Sequence, residues 1–372
     1  MSSSYRPYTA SNWFFDSLKP LDAFLMKLLL VLSCIGLLTL FSADYNVLNG
    51  LGDRFYAQLR NIALGFFCIW LMAQVPPNLL LRTALPLYIL GLVLLIATAL
   101  FGDISKGARR WLDLGFIRIQ PSEIMKLAMP MMLAWYFHQR ENSLGTKEFM
   151  VAGLLLAVPV GLIMRQPDLG TSLLVLSAGF FVIFFAGLSW RVLTGLFGAF
   201  LVATPMLWFV LHDYQRERIL TLIDPTRDPL GAGFHTIQAM IAIGSGGITG
   251  KGWLNGSQSY LNYIPEHTTD FILAVYAEEF GWLGILVLIG LYVAIIWRGL
   301  YISARSNFMF ARLLTVALSL SFFVYAFVNM GMVAGILPVV GVPLPFMSYG
   351  GTALVTLGLA IGVLMSVRYS RL

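Results

Sequence analysis

Residues 212–269 read HDYQRERILTLIDPTRDPLGAGFHTIQAMIAIGSGGITGKGWLNGSQSYLNYIPEHTT and stand between two long apolar runs, 192–211 and 270–297. They are the one long polar insert in a chain of 372 residues that is 58% hydrophobic and 11% charged. A soluble domain carries about 25% charged residues, so the chain around the insert is membrane protein. Loops this long are functional or disordered. This one holds glycines, aromatics and a periodic apolar segment, FHTIQAMIAIG, and is no low-complexity tract. That segment has the spacing of a short helix dipping into the interface.

Outward from the insert, apolar runs recur, each long enough to cross a hydrocarbon core of about 30 Å. Ten spans are expected, at 23–42, 58–75, 80–101, 122–138, 150–165, 172–189, 192–211, 270–297, 310–337 and 350–367. The fold class is therefore all-α and polytopic. It forms a single transmembrane domain over 1–372, with 212–269 as a large outer loop between the seventh and eighth helices. No internal repeat stands out. Arg6, Asp16 and Lys19 near the start argue against a cleavable signal peptide. The stretch NWFFDSLKPLDAF reads as an amphipathic interface segment before the first span. Cys34 and Cys68 fall inside spans, where cysteine packs as a small hydrophobe.

Charge sets the orientation. With a cytoplasmic N-terminus, the inner segments hold Arg6, Lys19, Lys27, Arg82, Arg140, Lys147, Arg191, Arg298, Arg305, Arg312, Arg368 and Arg371 against Asp16, Asp22, Glu141 and Glu148. That asymmetry follows the positive-inside rule and puts both termini inside. The loop at 102–121 objects, with Lys106, Arg109, Arg110 and Arg118 on the outer side. Cations placed there against topology suit an anionic ligand.

The candidate chemistry crowds the outer side. Asp270 opens the eighth span in TTDFILAVYAEEFGW. Its ordinary reading is a helix N-cap; its functional reading is a general base at the membrane face. Glu278 and Glu279 lie deeper, about 12 Å below Asp270 on a continuous helix. Intramembrane carboxylates face a cavity or a partner. By helical angle, Glu278 is the cavity candidate and Glu279 pairs with a neighbouring helix. Glu123 and Lys126 in QPSEIMKLAMP share one helix face. They form a buried ion pair or a held, phosphate-facing cation. Asp168 in RQPDLGTS suits a helix cap on the same side and is also a candidate substrate contact. Arg109 and Arg110 beside Trp111 suit either a lipid diphosphate and its sugar or an aromatic belt.

The cluster GSGGITGKGW is not a phosphate-binding P-loop, because Ser245 and Gly252 occupy two of its required positions. Lys251 in that cluster, Arg216 and Arg218 in HDYQRER and Ser348 in PFMSYGG are further candidate substrate contacts. No metal motif is present; Mg2+ or Mn2+ held loosely on a diphosphate would need none. At 335–352, GILPVVGVPLPFMSYGGT breaks the helix near membrane level. Such backbone is tolerated only when buried in protein or lining a wet cavity, so it is expected to face the Asp270 cleft.

Taken together, KGARRWLDLG with QPSEIMK, QPDLGTS, HDYQRERI with DPTRDPLGAG, GSGGITGKGWLNGSQSYLNYIPEHTTDF with AEE, and GILPVVGVPLPFMSYGG resemble the SEDS family (shape, elongation, division and sporulation), and its elongation branch in particular. The resemblance runs from the first span to the last. It implies a peptidoglycan glycosyltransferase that polymerises lipid II at the outer face of the inner membrane. It further implies a class B penicillin-binding protein as partner in an elongation complex. The family's essential loop acid falls on Asp270, and its fourth-span acid and base fall on Glu123 and Lys126. One departure is PEHTTDF, where Thr268 stands in place of the usual histidine and His267 comes one position earlier. The same composition also suits a flippase for lipid-linked sugars, or a scaffold for wall enzymes.

Overall fold

A computed structural model describes residues 17–46, 50–105, 108–113, 115, 118–210, 213–227, 232–256 and 266–370. Among them are twelve α-helices and two small antiparallel ribbons. The helices at the expected spans are α1 (Ala23–Asp44), α2 (Asp53–Ala73), α3 (Pro77–Phe101), α4 (Pro121–His138), α5 (Thr146–Met164), α6 (Leu169–Phe185), α7 (Trp190–Val210), then α10 (Ile272–Ala304), α11 (Met309–Val333) and α12 (Gly351–Tyr369). Each expected span has its helix. Seven of them, α1, α2, α3, α5, α10, α11 and α12, are long and apolar enough to cross a membrane, while α6 and the apolar part of α7 are shorter. The chain is a polytopic all-α membrane protein. Large apolar side chains such as Leu64, Leu90, Leu154 and Val287 face outward, as a lipid-solvated surface requires.

Local chemistry starts each helix. Asp22 caps α1 by accepting from the Leu25 N–H at 2.9 Å. Pro77 and Pro121 open α3 and α4 at first-turn positions, where no backbone donor is needed. Asp168 caps α6 from the Thr171 N–H at 3.1 Å. The fourth helix is too polar to count as a span by apolarity, yet it is almost wholly buried, packed against α3, α6 and α11. That enclosure is what lets it carry Glu123 and Lys126.

Two packed cores share α11: one joins α1, α10, α11 and α12, and the other joins α3, α4, α5, α6 and α11. Helix α7 stands apart, with Leu196, Phe200, Val202 and Met206 all exposed. The starts of α4, α6, α10 and α12 meet at one face, with the end of α11. The ribbon β3–β4–β5 (Asp103–Ser105, Ala108–Asp113, Arg118–Ile119) lies there too, as does the ribbon β1–β2 (Tyr45–Asn46, Gly50–Leu51). Neither ribbon was expected from the sequence. The large insert covers this same face with α8 (Asp213–Ile223) and α9 (Ala232–Ser245), the latter packed on α10 and α11. His212, Lys106 and the stretch 257–265 lie outside the described residues, as does the interface segment up to Asp16.

Helix α10 departs from a plain span. It begins two residues after Asp270 and breaks at Gly281, whose φ of 63° and ψ of −161° only glycine adopts readily. The break sits well below the membrane face, where unpaired backbone is costly. The glycine cluster fills it. Lys251 N–H and Gly252 N–H donate to the carbonyls of Glu278 and Glu279, both at 3.0 Å. Trp282 N–H and Leu283 N–H donate to the carbonyls of Gly247 and Ile248 at 3.0 and 3.1 Å. A stretch that imitates a phosphate loop is thus a backbone splint for a broken helix. The Trp253 indole pins it to α1, donating to the Leu38 carbonyl at 3.1 Å.

Candidate active site at the large-loop face

Residues 266–271 fold back before α10, with Phe271 N–H on the Glu266 carbonyl at 3.1 Å. Phe271, not Asp270, takes the N-cap position, so the capping reading of Asp270 does not hold. The turn is fixed from several sides. Ser348 Oγ donates to the Thr269 carbonyl at 2.6 Å, and Tyr349 N–H donates to the Thr268 carbonyl at 2.9 Å. Asn329 Nδ2 donates to the carbonyls of Asp270 and Val342, both at 2.8 Å. Arg54 Nη1 donates to Thr268 Oγ1 at 2.6 Å, and His267 Nε2 lies 3.0 Å from the Ala43 carbonyl. The two residues at the departure from the family motif therefore tie the turn to α1 and α2 and do not line the cavity beside it.

That cavity is about 370 Å3 and is lined by Asp270, Glu266, Glu123, Lys126, Arg110 and Asp168 among others. Lys126 Nζ lies 2.5 Å from Glu123 Oε1, and Glu123 Oε2 accepts from Thr356 at 2.9 Å. Asp168 keeps its cap and also accepts from Gln120 Nε2 at 3.1 Å. Arg110 holds the carbonyls of Gln166 and Pro167, bracing the turn between α5 and α6. Gly341, at φ 73°, closes over Asp270: a Cβ there would stand 3.5 Å from Asp270 Oδ2. The broken segment after α11 and Asp270 thus share one cleft, with Trp111 and Tyr349 as aromatic walls.

Beside it runs an apolar groove of about 650 Å3 between α2, α3, α4 and α12, which shares Gln120, Glu123 and Thr352 with the polar cavity. A charged compartment that adjoins an apolar one across shared residues suits an amphiphile with an anionic head.

Other candidates fall elsewhere. Arg109 is exposed and outside the lining. Arg216 and Arg218 sit on α8; Arg216 Nη2 donates to the Phe209 carbonyl at 2.9 Å, and neither lines the cavity. Lys251 Nζ meets Glu278 Oε1 at 2.5 Å, with Glu278 fully buried. The helical angle from Asp270 to Glu278 does not apply, because Asp270 precedes the helix. A buried carboxylate takes the nearest cation, and here the splint supplies it. Glu279 accepts from Ser42 of α1 and from the Leu254 N–H. Ser348 lies behind the turn, accepting from the Leu344 N–H at 2.8 Å.

Four residues of this site escaped the sequence reading: Glu266, Arg54, Gln58 and Asn329. Gln58 Nε2 donates to the Ser348 carbonyl at 2.8 Å and its Oε1 accepts from the Gly350 N–H at 3.3 Å. Arg54, Gln58 and Asn61 recur at helical spacing on α2, a polar stripe in an apolar span that could have been read. Asn329 is accompanied at that spacing only by the weakly polar Ser321 and Tyr325.

The fold and cleft define a class: a multi-pass membrane protein with a polar, two-sign cavity at one membrane face. A family model described as FTSW_RODA_SPOVE, cell cycle protein, matches residues 22–371, and the chain belongs to that family. It is 49% identical over 355 residues to the peptidoglycan glycosyltransferase MrdB of Escherichia coli K12, covering 94% of each chain. It superimposes with a TM-score of 0.80 and 31% identity on a chain from a study of the structural coordination of polymerization and crosslinking by a peptidoglycan synthase complex, over 94% of this chain and 98% of that one. The rod shape determining protein RodA of Thermus thermophilus gives a TM-score of 0.69 at 28% identity, over 94% and 97%.

Proposed function

We propose that this chain is a peptidoglycan glycosyltransferase that polymerises lipid II for lateral wall elongation, at the outer face of the bacterial inner membrane. The observation that carries the reading is the junction of the charged cavity with the apolar groove at Gln120, Glu123 and Thr352. It offers one site for a diphosphate and another for the lipid attached to it. The name of the E. coli relative supports the same reaction.

Asp270 is assigned as the base. It takes the proton of the acceptor sugar hydroxyl as that oxygen attacks the anomeric carbon of the donor. The bond from that carbon to the diphosphate oxygen breaks, and undecaprenyl diphosphate leaves with the electron pair. Displacing an α-linked diphosphate in this way inverts the carbon and gives a β-linked strand. Lys126, held by Glu123, and Arg110 supply the positive charge that stabilises the leaving group. Magnesium binds through one or two carboxylates and substrate phosphates, so Glu266, in the same cavity, would hold a divalent cation with the diphosphate and leave Asp270 to act as the base. Such a cation would neutralise the leaving group's charge.

Both termini are assigned to the cytoplasm, because the opposite face gathers Arg298, Arg305 and Arg368. A class B penicillin-binding protein is the expected partner. The structural neighbour from a synthase complex that couples polymerization to crosslinking supports this pairing. A flippase would need a polar path running from one face to the other. The core beneath Lys126 is closed instead, with a cavity of only about 30 Å3 beside Tyr325.

The test is lipid II polymerisation by the purified protein and its cognate transpeptidase, whose own serine is blocked. Wild type should yield long strands and folded Asp270→Asn none. Equal strands from both would remove Asp270 as base; no strands from either would overturn the enzyme.

A further inference from the structure

The face opposite the site holds a second cavity, of about 720 Å3. It lies where the last turns of α10 and α12 meet the starts of α3 and α11. Arg298, Arg305 and Arg368 line it, with Ser306 and Asn307 between them. Among the described residues, one carboxylate enters this cluster. Asp22 Oδ2 accepts from Arg298 Nη2 at 2.7 Å and from Arg368 Nε at 2.9 Å. Two guanidinium groups thus share a single oxygen, and three positive charges face one negative charge. Arg305 has no carboxylate partner among the described residues; its guanidinium lies over the Tyr301 ring at 4.3 Å. Trp297 lies tilted against the same ring at 5.7 Å and is 57% exposed. An exposed tryptophan and a tyrosine at a span end mark the headgroup level.

We propose that this cavity binds the phosphodiester headgroup of an anionic membrane phospholipid. The planar guanidinium fork matches phosphate oxygens two at a time. Among the described residues, the local excess of positive charge is unsatisfied by protein. The volume lies within the range of about 300–1,000 Å3 usual for ligand sites. Basic pockets between spans at the headgroup level are the setting in which acidic lipids are held. Topology alone would require only that arginines lie on this side, not that they converge on one concavity. Arg312 shows the difference: it is on the same face, exposed, and outside the cavity lining.

The same anion chemistry could come from soluble phosphate, so the experiment separates the two. The full-length protein is placed in mixed micelles with phosphatidylglycerol or phosphatidylcholine, and retained lipid is counted by native mass spectrometry. Wild type should retain phosphatidylglycerol in preference to phosphatidylcholine, undiminished by inorganic phosphate. One arginine near an acidic lipid is worth about fivefold in binding, so Arg305→Gln should weaken retention by about that factor. Arg305→Lys, which keeps the charge but loses the planar fork, should fall between Arg305→Gln and wild type, and Arg312→Gln should change nothing. Arg305 makes no ion pair among the described residues, so these variants should melt like wild type. Equal retention of both lipids, or equal loss from Arg312→Gln and Arg305→Gln, would overturn the proposal. Displacement by inorganic phosphate would overturn the lipid as the source. The assay contains no lipid II, so its outcome is independent of the proposed reaction.

Discussion

Replacing Asn329 with leucine tests whether the Asp270 turn is held in place by one amide. Asn329 Nδ2 bridges the carbonyls of Asp270 and Val342, while its Oδ1 is buried with no partner among the described residues. Leucine keeps the approximate volume and removes both donations, and the loss of Oδ1 costs nothing. Each stranded carbonyl costs about 1–3 kcal/mol by soluble-protein measure. Side-chain hydrogen bonds inside membranes average nearer about 0.6 kcal/mol. The stability loss should therefore fall between about 1 and about 6 kcal/mol. The functional loss is separate. Freed from Asn329, the Asp270 backbone can shift against the Lys126 side of the cavity, and a displacement of about 1 Å costs about 100-fold in rate. Initial rates of strand synthesis across lipid II concentrations, corrected for the folded fraction, should show kcat falling by about that factor with KM little changed. Wild-type kcat from folded Asn329→Leu would refute the reasoning. So would a loss accounted for entirely by unfolding.

Breaking the Glu123–Lys126 pair singly, as Lys126→Met or Glu123→Gln, should destabilise the protein by about 3–5 kcal/mol. The double variant should recover much of that in a thermal melt while remaining inactive in strand synthesis. Gly250→Ala would drive a Cβ into the Glu279 carbonyl oxygen. It should lift the splint from α10 and lower stability by about 2–4 kcal/mol, from four backbone hydrogen bonds at about 1 kcal/mol each. For Asp22, burial pushes the carboxyl up, but the hydrogen bonds from Arg298 and the Leu25 N–H and the charges of Arg368 and Arg298 outweigh it, leaving it below its ordinary value. A depressed carboxylate stabilises the fold fully above the unfolded value of about 4 and loses that contribution as pH falls through the folded value. Acid melting curves should therefore show wild type converging on Asp22→Asn below about pH 4, with the wild type more stable above it.

Much of this was legible in one dimension. Spans are set by local composition, so α1 to α7 and α10 to α12 could be counted, and the acids and bases of 120–126, 168 and 270 could be placed at one face. The Glu123–Lys126 pair lies within one helical turn and follows from spacing. The misreadings come where partners are far apart in the chain. Lys251 and Glu278 are separated by 27 positions and meet only because the splint docks on a broken helix. Nothing near Gly281 announces the break, since the carbonyls it frees are satisfied by backbone, which carries no residue signature. Arg54 reaches Thr268 across 214 positions. Asn329 follows Ser321 and Tyr325 at helical spacing on α11, but hydroxyl side chains are ordinary in apolar spans and do not single it out.

The splint also bears on how the chain is assembled. Residues 246–252 precede α10, so the surface that completes the broken helix is already synthesised when that helix leaves the ribosome. The Asp270 turn has the opposite dependence. Its hydrogen bonds from Asn329, Ser348 and Tyr349 come from segments made 59 to about 80 residues later. A nascent chain that has inserted α10 would hold its broken helix but not the full set of hydrogen bonds around the Asp270 turn. The hydrogen bonds that hold this turn would be complete only as the last span enters the bilayer.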